Sequence, residues 1–191
     1  MIEMKSPSFA FNSVDVPGPS YRMWRWTEGH EGMTTAMLVD KILWANSEAL
    51  SQFGGRLQNI VINSHGREKG GEIDIGGQKY VGIYSGTVNE FLRLKGKNLG
   101  TIWLVACQAA KNAAGSNLCQ MIAVNSGCLV IASDEDQEVG AWGTWRLWTS
   151  ARINHIDEFE GSVYAFYPSG HKKLVDPHDD VFTIAEWKDT F

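Results

Sequence analysis

Thiols, imidazoles and carboxylates are the groups in this chain able to attack a carbonyl or move a proton. The thiols are Cys107, Cys119 and Cys128, and the imidazoles are His30, His65, His155, His171 and His178. Position separates them. His65 closes the run LQNIVINSH and Cys107 closes TIWLVAC. Both runs are short and apolar on alternate and intervening positions alike, as expected of strands buried on both faces of a parallel sheet. Ligands of open α/β sheets sit outside the carboxyl ends of the strands. If these two strands are parallel neighbours, His65 and Cys107 emerge side by side at that edge as an acid/base group and a nucleophile. Gly66 lets the backbone approach a substrate closely, and the N–H groups of Gly66 and Cys107 are the expected oxyanion donors. Asn63 and Ser64 stand beside His65, as groups to orient it or, for Ser64, to contact substrate.

The remaining candidates carry less. Asp134-Glu135-Asp136 follows the run CLVIAS, on the same predicted edge. A carboxylate there would favour Arg or Lys before a scissile bond through charge-assisted pairing, which makes Asp134 and Asp136 substrate-binding candidates. A solvated acidic loop is the plainer reading. Cys119 falls within a predicted helix and Cys128 opens a predicted strand, so both read as packing residues. His178-Asp179-Asp180 lacks the glycine and spaced carboxylates of a calcium loop, and no Cys-x-x-Cys pair exists; no metal and no cofactor is expected. Trp142, Trp145 and Trp148 are three apart, which suits core packing or a peptide groove.

The elements that must hold these groups follow from pattern. Residues 1–20, broken by Pro7, Pro17 and Gly18, read as an irregular arm ahead of a single domain over 21–191. Tyr21–Trp26 reads as a short strand. Residues 34–53 carry Met37, Leu38, Ile42, Trp44, Ala45, Ala49 and Leu50 as a helical stripe stopped by Gly54-Gly55. GEIDIGGQKYVGI reads as a hairpin turning at Gly76-Gly77. Residues 85–94 suit a helix with Phe91, Leu92 and Leu94 inward, and 115–126 a helix with Leu118, Met121 and Ile122 inward. GSVYAFYPSGHKKLV reads as a closing hairpin around Pro168-Ser169-Gly170. Strands alternating with helices predict an α/β domain whose central, mostly parallel sheet is flanked by helices.

Bulk composition agrees. The 191 residues are 43% hydrophobic and 20% charged, as in an ordinary globular domain large enough to bury a core. A net charge of -5 without a basic stripe excludes the positive face that nucleic acid requires. No run approaches the roughly 20 apolar residues of a membrane span, and the first residues lack a signal-peptide pattern. Three unpatterned cysteines suit a reducing compartment, so the expected location is cytoplasmic as synthesised, with export by another route left open.

A strand ending in Ser64-His65-Gly66, followed 42 residues after the histidine by a strand ending in Val105-Ala106-Cys107, resembles the caspase-like (clan CD) cysteine peptidases. The intervening glycine-rich hairpin and helix, and LVIAS beyond the cysteine, resemble the bacterial CHAT-type domains over roughly residues 57–136. The resemblance implies a caspase-like fold and an endopeptidase with His65 and Cys107 as its dyad. The substrate would be a protein or peptide, with self-cleavage open and with room for an activator or inhibitor protein. A bacterial effector or defence protease is the setting that family analogy suggests. Two other readings stand beside it: a catalytically inactive caspase-like binding module, and a Cys/His protein deamidase or amidohydrolase.

Overall fold

A computed structural model describes residues 1–14, 16, 20–67, 71–77, 81–137 and 152–177. The strands are β1 (Ile2–Glu3), β2 (Ser8–Asn12), β3 (Tyr21–Arg22), β4 (Arg25–Glu28), β5 (Asn59–Asn63), β6 (His65–Gly66) and β7 (Glu72–Asp74). After them come β8 (Ile83–Tyr84), β9 (Thr101–Val105), β10 (Val130–Ser133), β11 (Arg152–Ile153), β12 (His155–Ile156), β13 (Val163–Phe166) and β14 (Lys172–Leu174). Helices α1 (Thr35–Phe53) and α2 (Asn112–Ser126) and a 3₁₀-helix (Val88–Leu94) complete the described chain. Trp142, Trp145, Trp148 and His178-Asp179-Asp180 lie outside the described residues.

The central sheet has seven strands in the order β14-β13-β10-β9-β5-β2-β4. Strands β4, β2, β5, β9 and β10 run parallel, and the β13–β14 hairpin adds antiparallel to β10. This is a mixed α/β architecture with a mostly parallel sheet. Alternation along the strands divides its core in two. Phe9, Phe11, Ile60, Ile62, Ile102, Leu104 and Val130 face α1, α2 and the 3₁₀-helix. Ala10, Val61, Trp103 and Ile131 face the other way, onto Ile2, Met4, Tyr21, Met23 and Ile156. The described helices therefore all pack on one face, and short extended segments from near both ends of the chain cover the other. Among the described residues no helix is long and apolar enough to cross a membrane.

The expected irregular arm over 1–20 is, in its described part, built into the fold. Strand β2 lies between β4 and β5, and all five of its residues are buried. Ser-Phe-Ala-Phe-Asn alternates two aromatic rings against small and polar side chains, which suits a sheet with one deep and one shallow face. The domain accordingly begins before Tyr21. The expected strand over Tyr21–Trp26 is two strands, β3 and β4, which join different sheets.

Local signals explain the helices and their corrections. The Thr34 side chain accepts from the Met37 N–H at α1's start, and Gly54, at φ 64°, ends it in the left-handed conformation. The buried stripe of α1 is Leu38, Val39, Ile42, Ala45 and Ala49, whereas Met37, Trp44 and Leu50 fall beside it and are exposed. Residues 88–94 wind as a 3₁₀-helix with three residues per turn, so Val88, Phe91 and Leu94 share the inner face and Leu92 points outward. In α2 the inner stripe is Gly115, Leu118, Cys119, Ile122 and Ala123, which leaves Met121 outside it.

Because β2 is interior to the sheet, Phe9→Ala should cost about 3–5 kcal/mol, as for other fully buried aromatic residues. Urea unfolding followed by far-UV circular dichroism measures this. A loss under about 1 kcal/mol would mean that the segment is not packed as described.

Candidate active site

Register delivers the site. Strands β5 and β9 pair in parallel with Asn63 opposite Val105, and the Ser64 N–H extends the ladder by donating to the Val105 carbonyl at 3.1 Å. His65 and Cys107 each lie two residues beyond that matched pair, so both chains leave the sheet at the same height. The contact between them is tight. A methyl group on Gly66 would lie 1.6 Å from the Cys107 carbonyl oxygen and 2.7 Å from its carbon, so only glycine allows this approach.

Two peptide N–H groups at this contact are left without an acceptor among the described residues. Strand β6 forms one edge of a small antiparallel sheet, in the order β6-β7-β8, with His65 opposite Asp74 and Gly66 opposite Ile73. The Arg67 N–H donates to the Glu72 carbonyl at 3.2 Å. Hydrogen-bonded and non-hydrogen-bonded pairs alternate along an antiparallel ladder, so Gly66 occupies a non-bonded pair and its N–H points off the sheet edge. The N–H of Cys107 donates to no acceptor among the described residues. Both residues are partly open to solvent.

A pocket of about 190 Å³ opens beside the pair, lined by His65, Cys107, Ser64, Asn63, Val105 and Tyr21, with Gln137, Arg152, Asp157 and Glu158 among its further walls. Most of its polar side chains have partners. Arg152 pairs with Asp157 at 2.6 Å and donates to the Tyr21 hydroxyl at 3.0 Å, while that hydroxyl donates to Asp157 at 3.2 Å. Glu158 receives the Met1 amine at 2.8 Å. The Asn63 amide donates to the Asn12 side chain at 3.0 Å. Ser64 is buried, and its hydroxyl has no partner among the described residues. The Cys107 thiol itself donates to the Gln137 carbonyl at 3.8 Å.

Asp134 and Asp136 do not line this pocket. Asp134 is turned towards β13, accepting from the Ser162 N–H at 2.9 Å and the Tyr164 hydroxyl at 3.3 Å. Asp136 accepts from the Gln108 side chain at 2.8 Å. Ending at the correct sheet edge does not determine which way a carboxylate turns, and both are taken up by neighbouring backbone and side chains. Among the described residues the pocket carboxylates are Asp157 and Glu158, reached through β11 and β12. Those strands are two residues each, too short for periodicity to announce. Among the described residues no three His, Cys, Asp or Glu side chains cluster as a metal site would.

Burial separates the three thiols. Cys119 and Cys128 are fully enclosed, and desolvation pushes both up to about 12, from an ordinary 9.0. Burial, with the Asp157 carboxylate adding to it, likewise lifts Tyr21 from 10.0 to about 12. No family model, curated protein or solved structure matches the chain.

Two measurements follow. Iodoacetamide at about pH 8 should alkylate Cys107 on the folded protein and spare Cys119 and Cys128, with all three reacting in denaturant; peptide mapping reads this. Tyr21, Cys119 and Cys128 are held neutral by folding, so the unfolded chain loses their protons first. Their stabilising contribution is complete below the unfolded values and is lost as pH rises from about 9 to about 12. The urea midpoint should fall across that interval, and a flat midpoint would contradict it.

Proposed function

We propose that this chain is a cysteine endopeptidase of the caspase-like kind, with Cys107 as nucleophile and His65 as its acid/base partner. The observation that carries this reading is the pair of peptide N–H groups, on Gly66 and Cys107, left without an acceptor among the described residues beside a partly exposed cysteine and a histidine that follow neighbouring parallel strands. That combination suits a reaction in which a carbonyl oxygen gains negative charge next to a sulfur nucleophile. The hairpin β7–β8 after the histidine strand and the strand order around β5 and β9 support the caspase-like assignment.

In this reading the Cys107 thiol passes its proton to His65, and the thiolate adds to the scissile carbonyl. The oxyanion is met by the Gly66 and Cys107 N–H groups. The carbon–nitrogen bond then breaks as His65 protonates the departing amine, leaving a thioester on Cys107. A water molecule, losing its proton to His65, cleaves the thioester, and the proton returns to sulfur. The residue before the cut enters the slot walled by Tyr21, Val105, Arg152 and Asp157. Its ionic groups are already matched, Arg152 by Asp157 and Glu158 by the Met1 amine. Among the described residues Arg152 and Asp157 neutralise one another at that slot, so an uncharged side chain fits best. This revises the expectation of Arg or Lys, which rested on Asp134 and Asp136.

Wild type, Cys107→Ala and His65→Ala incubated with a mixed peptide library and read by mass spectrometry test the proposal. Wild type should cleave, with an uncharged residue dominating before the cut. Each variant should lose at least about 10³-fold in kcat/KM. Gly66→Ala should lose more than about 10²-fold while remaining folded, because the added methyl displaces the Cys107 carbonyl. Intact peptides beside a Cys107 inert to electrophiles would overturn the reading in favour of a binding module. A mass gain of about one dalton without chain cleavage would instead identify a deamidase.

A further inference from the structure

The turn that carries Cys107 out of β9 is held in an unusual conformation. Gln108, the next residue, has φ 53°, in the left-handed region that a long side chain enters only when its surroundings hold it there. It is buried, at 8% exposure. Its N–H donates to the Glu135 carbonyl at 2.8 Å, and two residues on the Ala110 N–H donates to the Ser133 carbonyl at 2.8 Å. Between these backbone bonds the Gln108 side-chain amide donates to Asp136 at 2.8 Å. Its amide oxygen stays buried without a partner among the described residues, so the side chain's one hydrogen bond among them is the one to Asp136.

Asp136 is fixed in its turn by a short connection. Residues 133–137 leave β10, the direct neighbour of β9, and fold back over the 107–110 turn. The Gln137 amide donates to the Ser133 hydroxyl at 2.6 Å and to the Glu135 carbonyl at 3.2 Å, which closes the segment on itself. A carboxylate acceptor makes the contact to Gln108 stronger than a neutral one would. Neither Asp136 nor Gln108 lines the pocket.

We propose that Asp136 is a positioning residue, acting through Gln108 to hold the turn that aims the Cys107 sulfur. The role rests on the peptidase reading for its consequence, but its effect on the thiol is measurable without any substrate. Losing the contact releases Gln108 towards ordinary backbone angles, and the sulfur turns with it. Misplacing a reacting atom in this way lowers turnover while leaving substrate affinity almost untouched.

The test compares wild type with Asp136→Ala, Gln108→Met, their double variant and Asp136→Asn. The first readout is the rate of Cys107 alkylation by iodoacetamide across pH, quantified by peptide mapping. The second, where the library yields a substrate, is kcat and KM. Asp136→Ala and Gln108→Met should each displace the alkylation profile and lower kcat about 10- to 100-fold, with KM within about twofold. The double variant should be no worse than either single. Asp136→Asn, which keeps an acceptor oxygen, should recover to within about threefold of wild type. Alkylation profiles superimposable on wild type in the folded variants would overturn the proposal, as would losses that multiply in the double variant. If Asp136→Ala does not fold, Asp136→Ser replaces it under the same criteria. Failure of Asp136→Ala, Asp136→Ser and Gln108→Met all to fold would assign the contact to stability and overturn the positioning role. Failure of the peptidase reading is distinguishable, because cleavage is then absent from wild type while the alkylation comparison still decides the role of Asp136.

Discussion

The parallel pairing of β5 with β9 in a single register is the constraint on which the rest of this molecule depends. It equalises the lengths of two chains leaving the sheet, so that His65 and Cys107 arrive together. A slip of one residue would turn either Ile60 and Ile62 or Ile102 and Leu104 away from the helical layer. The site is therefore held by the same burial that holds the fold, and the packing of α1, α2 and the 3₁₀-helix protects its alignment. Gly66 adds a second requirement at close range, since its backbone and that of Cys107 occupy adjoining space.

The two faces of the sheet are finished differently, and the difference has chemical meaning. Helices seal one face with aliphatic and aromatic side chains. The other is sealed by β1, β3, β11 and β12, strands of two residues each. Short strands bring polar side chains close to the sheet's carboxyl edge, which is how Tyr21, Arg152 and Asp157 come to wall a pocket beside Cys107. A helix at that place would have presented a continuous apolar stripe instead.

Much of this was legible in the residues. The apolar runs before His65 and Cys107, the glycine-rich hairpin between them, the stop at Gly54 and the closing hairpin at Gly170 are local signals, and each corresponds to an observed element. What was not legible was mostly non-local. Strand β2 is five residues long and lies between prolines, so its Phe-Ala-Phe alternation was outweighed by the breakers around it. The inward placing of Leu92 failed because a 3₁₀ turn advances by a different angle from an α turn. Asp134 and Asp136 follow β10 at the edge where β5 and β9 also end, but their partners, Tyr164 and Gln108, come from elsewhere in the chain. Sequence spacing carries height along a sheet well and direction around it poorly.

The interior place of β2 also governs the order in which the molecule can assemble as it is synthesised. Its neighbour β5 is not complete until residue 63, so the earliest strand of the central sheet must wait for later ones before any of its main chain is paired on that side. Parallel neighbours of this kind close long loops, and such contacts form late. Cys107 enters only after β2, α1 and β5 have been made, and the 133–137 segment that fastens its turn comes later still. The thiol thus meets its neighbours on a scaffold already largely laid down, and a growing chain too short to hold its fold is also too short to bring His65 and Cys107 together.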